Sequence, residues 1–431
     1  MTRNSSSRLF VAMAVVWMSA SAFASQYNVI YRFPGGANGN LPLHLVSDSA
    51  GNLYGTTEFG GVSQGDGWGV VFKLTPGSGG SWTETVLYKF TGGTDGGQPV
   101  AGVTMDAAGN LYGTTSAGGD PTCTGLGGFC GVVYELSNSG GTWSEKVLHS
   151  FTGPDGVDPQ SGVTFDQAGN LYGTTANGGP GGYGVVYQLS PNGDGTWTEK
   201  IIRSFGSHNK AGGSNPGATP VFDASGNLYS TTSSGGDLSC GSGLGCGTLF
   251  QLAPQSDGTW SSRILVRFNG TDGATPVSLS FDASGNLFGA AFGGGGGGCS
   301  GFFENGCGTI FELSPRAGGF KGSLPHVFAG SPSAGPVGVV PDAVGNLYGA
   351  TLFTGTSCTT QCGTLFKLTP ATGGGYNFGV LHEFQGGADG FAASDSPILG
   401  ADGNIYGSTQ TGGDLTCGQS VGCGVIYQIV P

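Results

Sequence analysis

Ten cysteines form the most regular set of reactive side chains in this chain of 431 residues. They fall into five pairs that are close in sequence: Cys123 and Cys130, Cys240 and Cys246, Cys299 and Cys307, Cys358 and Cys362, and Cys417 and Cys423. An even number of locally paired cysteines, in a chain that also carries an export signal, predicts five disulfides. Zinc is the alternative, but a zinc site needs four ligands together, whereas these pairs are distributed along the chain.

The second cysteine of each pair precedes a glycine that opens an apolar segment. At the same place, two copies of an internal repeat carry a large aromatic residue instead, Trp68 and Tyr183. We predict that these two side chains anchor their loops where the disulfide is missing.

Aspartates in Asp-Gly steps form a second candidate set. In the loops that join successive copies of the repeat they are Asp95, Asp155, Asp272 and Asp389, and Asp158 and Asp395 follow closely behind two of them. Oxygen-rich acidic loops can bind Ca²⁺, the one cofactor that this pattern suggests. Ordinary turn formation is the alternative, because Asp-Gly steps favour turns and no loop has the dense ligand run of a Ca²⁺ site.

The five histidines do not form a recognisable catalytic set. His149, His326 and His382 stand at one place in the repeat where other copies have Tyr, Arg or Val, which indicates packing in an outer strand. His44 and His208 have no identifiable partner, and no H-E-x-x-H or phosphate-loop motif occurs. A pair of carboxylates for glycoside cleavage, contributed by different copies of the repeat, stays open.

Seven copies of one motif organise the chain. The sequence GNLYGTT begins at Gly51, Gly109 and Gly169, and close variants begin at Gly226, Gly285, Gly345 and Gly403. Successive copies are 57 to 60 residues apart. In six copies an aspartate stands three residues before the glycine, where its side chain can close a turn, whereas the seventh has Gly400 there and Asp402 nearby.

Each copy predicts four strands, which we call a to d. Strand a precedes the motif, strand b is the motif, strand c is an apolar segment such as 69–74, and strand d is a segment such as 82–90. Strands b and c are apolar on both faces, so each small sheet must be covered twice, which radial stacking achieves. The glycine in strand b lets a large side chain approach, and we predict that the motif tyrosines Tyr54, Tyr112 and Tyr172 fill this role.

The two ends of the repeat region complement each other. Residues 27–33 match strand d, whereas the chain stops after a strand c at 425–429. Joining them would close a ring and remove two free sheet edges. The sequence therefore predicts an all-β fold, a seven-bladed β-propeller with four antiparallel strands per blade. An open solenoid is the alternative, but solenoids need atypical capping repeats.

Composition and charge exclude several classes of protein. Only 10% of the residues are charged and 90 are glycine, which argues against long helices. A formal net charge of −13 argues against binding to nucleic acid or to anionic membrane surfaces.

Residues 1–24 are predicted to be a secretory signal peptide that is cleaved after Ala24, with an uncleaved membrane anchor as the alternative. Residues 25–431 are predicted to form one propeller domain without a further membrane span.

Four features of the repeat carry a family resemblance: the repeated GNLYGTT, the Gly-Gly that follows it, the G-[VT]-[VIL]-[FY]-x-L strand and the Trp-to-Phe strand. Together they resemble the GloVer tandem repeat of secreted bacterial proteins with varied C-terminal anchors. The resemblance covers nearly all of residues 26–431 and implies a repeat architecture and export, but no defined activity. The D-x-x-G-N-L-Y segment is more distantly similar to NHL and streptogramin-lyase repeats, and the Gly-Gly to kelch repeats. This chain shows no C-terminal anchor segment, so we expect free secretion.

The leading hypothesis is a secreted, monomeric binding or scaffold module for an extracellular glycan or protein. The b–c and d–a loops of a four-stranded blade emerge on one face, and loops on a rigid scaffold concentrate function. We therefore expect the ligand on that face, near Asp95, Asp155, Asp158, Asp272, Asp389, Trp68 or Tyr183. The alternative is an extracellular polysaccharide hydrolase or lyase with carboxylates at the channel mouth, and a purely structural surface protein is the third reading.

Overall fold

The structure is a computed structural model that describes residues 25–431 apart from 63–65, 124–129, 207–210, 297–298, 300–305, 331, 354–361, 394 and 418–420. The described residues form thirty strands, three one-turn 3-10 segments and no α-helix. No helix in this described part is long and apolar enough to cross a membrane. Residues 1–24 lie outside it, so the signal peptide stays a prediction.

The first three blades each contain four strands. Blade one has β2 (Asn40–Ser47), β3 (Leu53–Phe59), β4 (Val70–Pro76) and β5 (Trp82–Lys89). Blade two has β6 (Thr104–Met105), β7 (Leu111–Thr115), β8 (Val132–Ser139) and β9 (Thr142–Ser150). Blade three has β10 (Thr164–Phe165), β11 (Leu171–Thr175), β12 (Val185–Pro191) and β13 (Trp197–Ser204).

The remaining blades follow the same order, with strand a divided in blades four and seven. Blade four has β14 (Ser214–Pro216), β15 (Val221–Phe222), β16 (Leu228–Ser234), β17 (Thr248–Pro254) and β18 (Trp260–Arg267). Blade five has β19 (Ala274–Phe281), β20 (Leu287–Gly293), β21 (Thr309–Arg316) and β22 (Gly319–Val327). Blade six has β23 (Ala334–Pro341), β24 (Leu347–Phe353), β25 (Thr364–Pro370) and β26 (Tyr376–Glu383). Blade seven has β27 (Phe391–Ala393), β28 (Ile398–Leu399), β29 (Ile405–Thr411), β30 (Val425–Val430) and β1 (Gln26–Arg32).

Blade seven closes the ring with strands from both ends of the repeat region. Strand β1 pairs antiparallel with β30, with Gln26 opposite Val430 and Arg32 opposite Val425. The seven sheets all have the antiparallel order a-b-c-d, with β1 in the d position of the last. The prediction of a closed seven-bladed β-propeller is therefore confirmed, and the open solenoid is wrong.

A ring of aromatic pairs joins each blade to the next. The phenylalanine that ends each strand d is at most 2% exposed. It contacts the aromatic residue in strand c of the following blade, with ring centroids 5.0 to 5.8 Å apart at all seven interfaces. At the point of closure these residues are Phe33 and Phe72. Because aromatic pairs contribute beyond their buried area, this ring is a main source of cohesion between blades.

The glycine of strand b has a different neighbour from the one predicted. A Cβ on Gly55 would lie 2.7 Å from the ring of Phe72, which stands opposite it on strand c, and not against a motif tyrosine. The prediction for Tyr54, Tyr112 and Tyr172 is therefore wrong. These tyrosines lie instead at the blade interfaces, each in contact with the next blade.

We expect Gly173→Ser to lower the free energy of unfolding by about 1–3 kcal/mol, since overpacking a filled core forces its neighbours to move. The new Cβ would overlap the hydroxyl of Tyr187, directly across the sheet. Chemical denaturation measures the loss, and Gly379→Ser is the control, because a Cβ added to that glycine would meet no atom of the described residues within 4 Å. The loss should shrink in a Tyr187→Phe background, since blade four naturally has Ser230 opposite Phe250. Equal stability of Gly173→Ser and Gly379→Ser would contradict this account.

The Asp-x-x-Gly-Asn turns have the predicted geometry. Asp48 accepts hydrogen bonds from the backbone N–H groups of Ala50 and Asn52 at 3.0 and 2.9 Å, and from the Tyr54 hydroxyl at 3.1 Å. In blade seven, Asp402 takes over this role and accepts the Tyr406 hydroxyl at 2.7 Å. The carboxylate thus ties the a–b turn to the motif tyrosine.

Candidate functional site

The b–c and d–a loops lie on one face of the ring, which we call the loop face. The a–b turns and c–d hairpins form the opposite face, the turn face. Between blades one and two, Gly119 N–H donates to the carbonyl of Gly93 at 2.9 Å, which joins a b–c loop to a d–a loop. The loops that carry the predicted site residues therefore form a continuous layer.

Four of the five predicted disulfides lie within the described residues. They join Cys123 to Cys130, Cys240 to Cys246, Cys299 to Cys307 and Cys417 to Cys423, with Cα–Cα distances of 5.2 to 6.0 Å. Cys362 is also disulfide-bonded, but its predicted partner Cys358 lies outside the described residues. Such bridges are typical of proteins that fold in an oxidising compartment, outside the cell or in the periplasm.

Trp68 and Tyr183 occupy the place of the second cysteine. At each of the seven blade junctions, the carbonyl at this place accepts an N–H from the segment that leads into or begins strand a of the next blade, at 2.7 to 3.2 Å. For Trp68 the donor is Gln98, and for Tyr183 it is Asn215. The Trp68 indole also lies beneath Gly92, as cysteine sulfurs lie beneath the corresponding Gly35, Gly270, Gly330 and Gly386. These residues therefore sit inside the loop layer.

The predicted aspartates of the d–a loops each serve their own loop. Asp95 and Asp155 accept the backbone N–H of Thr91 and Thr152 at 2.9 and 2.8 Å. Asp272 accepts the N–H of Asn269 at 2.8 Å, and Asp389 that of Gln385 at 3.1 Å. Across the described residues, no three His, Cys, Asp or Glu side chains are grouped so that they could hold a metal ion. These four carboxylates do not converge on one site.

Two of the outer-strand histidines do more than pack. His149 Nε2 lies 3.0 Å from Asp155, and His382 Nε2 lies 3.2 Å from Asp389. His326 stacks on Phe378 with centroids 4.3 Å apart, as the packing interpretation predicts. His208 lies outside the described residues. These hydrogen bonds hold the loop aspartates against the blade edge, which sequence reasoning missed.

Ionisation of Glu145 makes the stability of the folded protein depend on pH. Its Oε1 is buried without a hydrogen-bond partner in the described structure. Burial, and then the negative charge of Asp95, raise the pKa of Glu145 from 4.5 to about 7. The folded state therefore holds this proton more tightly, so stability falls as pH rises through the range 4.5 to 7.

We expect Glu145→Gln to raise the melting temperature at pH 8 and to leave it nearly unchanged at pH 4.5. Glutamine cannot ionise, so it avoids the cost that glutamate meets above the raised pKa. Thermal denaturation at both values measures the difference. Asp194→Asn is the control, because hydrogen bonds from Thr196 lower the pKa of Asp194, and its effect should have the opposite sign. The same shift at both pH values would count against this role for Glu145.

Asp158 has a setting unlike that of the other aspartates. It lies at the inner end of the loop face, the side nearest the channel, and has a φ of +61°. Its carboxylate accepts hydrogen bonds from the side-chain amides of Gln160 and Asn177 at 2.9 and 3.4 Å. Burial raises the pKa of Asp158, while these two hydrogen bonds act in the opposite direction. Asp158 thus anchors a polar network beside the channel.

A cavity of about 460 Å³ opens next to this network. Its polar lining residues come from blades three, four and five: Gln160, Asn177, Asn215, Ser233 and Thr275. The Asn215 amide donates to the carbonyl of Ala176 at 2.9 Å, and its Oδ1 is buried without a partner among the described residues. The lining offers amide and hydroxyl groups, which suit a neutral, hydroxylated ligand.

A His–Asp pair lies deeper in the channel wall, between blades seven and one. His44 Nδ1 is 3.1 Å from Asp395 Oδ2, and the His44 backbone N–H donates to the same oxygen. The imidazole is 46% exposed, whereas Asp395 is only 5% exposed. The sequence-based statement that His44 has no partner is therefore wrong, and Asp395 belongs to this pair and not to a loop site.

A β-bulge positions His44. The pairing of β2 with β3 shifts between Leu43 and Leu45, and His44 has a φ of +29°. Bulges redirect a side chain, and such strained backbone persists where surrounding contacts fix it. The residues at the same repeat position in the other blades are small: Gly102, Gly162, Thr219, Ser278, Gly338 and Ser396. His44 is therefore the one large side chain in this ring of the channel wall.

Seven radially stacked four-stranded sheets around a channel define this protein as a seven-bladed β-propeller. The sequence profile of the Gloeobacter/Verrucomicrobia repeat matches residues 14–242 and 121–321, and the chain belongs to that family. This membership confirms the resemblance drawn from the motifs.

Solved structures show the same fold at low sequence identity. The extracellular domain of the putative one-component system BT4673 from B. thetaiotaomicron is 11% identical, with a TM-score of 0.52, over 93% of this chain and 39% of that one. The periplasmic gluconolactonase PpgL of Pseudomonas aeruginosa is 14% identical, with a TM-score of 0.52, over 85% of this chain and 96% of that one. The chain thus spans about two fifths of the first of these proteins. A comparison with curated protein sequences finds no match.

Proposed function

We propose that this propeller is an extracellular binding module for a neutral glycan, held at the inner end of the loop face. The observation that carries the proposal is the cavity lined by Gln160, Asn177, Asn215 and Ser233, where the Oδ1 of Asn215 has no hydrogen-bond partner among the residues that the structure describes. Amides and hydroxyls can exchange hydrogen bonds with sugar hydroxyls, and no lysine or arginine among the described residues lines the cavity to attract an acidic ligand. The Cys240–Cys246 disulfide closes the blade-four loop that follows Ser233, which favours a preformed site.

Asn215→Gly and Asp158→Asn are expected to weaken glycan binding by about 3- to 10-fold each, the value of one or two neutral hydrogen bonds. Both changes keep the left-handed backbone conformation, with φ +55° and +61°, because glycine and asparagine tolerate it. Isothermal titration with neutral oligosaccharides measures the affinity. Asp257→Asn, on an exposed c–d hairpin of the turn face, is the control. Unchanged affinity in both loop-face variants would refute this site.

The second candidate is an extracellular polysaccharide hydrolase or lyase, and the His44–Asp395 pair favours it over a role for Asp95 or Asp272. When the Asp395 carboxylate accepts a hydrogen bond from Nδ1 of His44, Nε2 of His44 can act as a general base toward the channel. If the protein is such an enzyme, His44→Gln should lower turnover of its polysaccharide at least about 100-fold while binding persists. Product release assayed by chromatography separates the two functions, with His326→Gln as the control. Turnover that survives His44→Gln would remove this candidate.

A further inference from the structure

Two clefts on the turn face are built from equivalent positions of the repeat. The larger, of about 610 Å³, lies where blade seven meets blade one, and the smaller, of about 320 Å³, lies between blades three and four. Each is lined by the tryptophan that begins strand d, by the proline that ends strand c of the same blade, and by the motif tyrosine of the preceding blade. These residues are Trp82, Pro76 and Tyr406 in the first cleft, and Trp260, Pro254 and Tyr172 in the second.

The aromatic rings have the same arrangement in both clefts. Trp82 meets Tyr406 edge to face, with centroids 6.0 Å apart and an interplanar angle of 68°. Trp260 meets Tyr172 with centroids 5.7 Å apart and an angle of 70°. Both tryptophans are only partly buried. Each cleft therefore has a fixed aromatic wall.

A carboxylate stands at the edge of each aromatic wall. Asp402 accepts the Tyr406 hydroxyl at 2.7 Å, and Asp166 accepts the Tyr172 hydroxyl at 2.9 Å. The larger cleft also contains Gln428, whose amide donates to the Tyr406 oxygen at 3.0 Å, and Asn28 beside it. Within the described part of the chain, no lysine or arginine lines either cleft.

An apolar ring face bordered by acceptors matches the chemistry of a pyranose, whose C–H face is apolar and whose hydroxyls donate from the edge. The acidic border, without a cation, disfavours an anionic sugar. We propose that the two clefts are binding sites for neutral sugar rings, separate from the loop-face site. Because both sites lie on one face of the protein, the protein can bind a glycan-bearing surface at two points at once, which raises the avidity of binding.

The competing explanation is that these tryptophans only stabilise the blade interface. The chain offers a matched control, because Trp197 packs against Tyr112 at 6.5 Å in the same way but lines neither cleft. If packing alone matters, Trp197→Ala and Trp82→Ala will have equal effects. If the clefts bind sugar, only Trp82→Ala and Trp260→Ala will weaken binding.

The test uses cellohexaose, xylohexaose, mannohexaose and maltohexaose in isothermal titration with the full chain. Ala50 and Ser225 are exposed residues, one at the rim of each cleft, so arginine there blocks the cleft without disturbing the core. For at least one sugar we expect the unmodified chain to show two binding sites on the turn face. Each single variant, Ala50→Arg or Ser225→Arg, should keep one of these sites. The double variant should bind the sugar at the turn face at least about tenfold more weakly.

The turn-face signal should persist in Asn215→Gly, which separates it from the loop-face proposal. Circular dichroism melting confirms that the arginine variants are folded. Full binding in the double variant, loss of the same binding in Asn215→Gly, or an equal loss in Trp197→Ala would overturn the proposal. Failure of all four sugars to bind at the turn face would overturn it as well.

Discussion

Deleting residues 25–33 is expected to destroy the stability of the whole ring. The deletion removes β1, leaves the β30 edge unpaired and takes Phe33, which is fully buried, away from Phe72. The loss of Phe33 alone should cost about 3–5 kcal/mol, a large share of the stability of a typical domain. Denaturation in urea, followed by circular dichroism, measures the effect.

A circular permutant provides the control for this deletion. Gln26 lies opposite Val430, so a short linker from the end of β30 to the start of β1 makes an ordinary c–d hairpin. The permutant, opened in the loop after Phe33, keeps every strand pair and should match the full chain within about 1 kcal/mol. A stable deletion variant, or an unstable permutant, would contradict the role assigned to β1.

Reduction of the disulfides is expected to produce the second large effect. Each described bridge closes a loop with a sequence separation of 6 to 8 residues, and constraining such a loop contributes about 2 kcal/mol. The sulfurs also lie beneath glycines of the neighbouring d–a loops, such as Gly35 and Gly330. Reduction should therefore lower the unfolding midpoint strongly and expose the loop face to proteases first.

Mapping of the cleavage sites by mass spectrometry checks this order. The b–c loop of blade one is the internal control, because Trp68 replaces the bridge there and its susceptibility should not change on reduction. An unchanged unfolding midpoint in reductant, or first cleavage on the turn face, would show that the bridges do not support the loop layer.

The sequence predicts the ring well because the fold depends on a periodic signal. Seven motifs at one spacing, and a d-type segment before the first of them, specify both the blade number and the closing strand. For the glycine of strand b the pattern indicates the wrong neighbour, since Tyr54 and Phe72 are both aromatic and only the register shows that Phe72 stands opposite Gly55.

The sites depend on contacts that no periodic signal carries. His44 and Asp395 are 351 residues apart in sequence, and the bulge that turns His44 toward Asp395 leaves no motif. Asn215 likewise meets Ala176 and Asn177 only after blades three and four pack, whereas Asp158 meets Gln160 and Asn177 within blade three. The turn-face clefts could have been suspected in part from the tryptophans that begin strand d in blades one to four, but Trp82 meets Tyr406 only once the ring closes.

The pairing of β1 with β30 also has a consequence for the order of synthesis. The ribosome makes β1 first among the described strands and β30 last, so β1 stays without its partner until the last blade has been translated. During that interval its hydrogen-bonding edge is open to neighbouring chains. We therefore expect chains that terminate before β30 to associate through this unpaired strand.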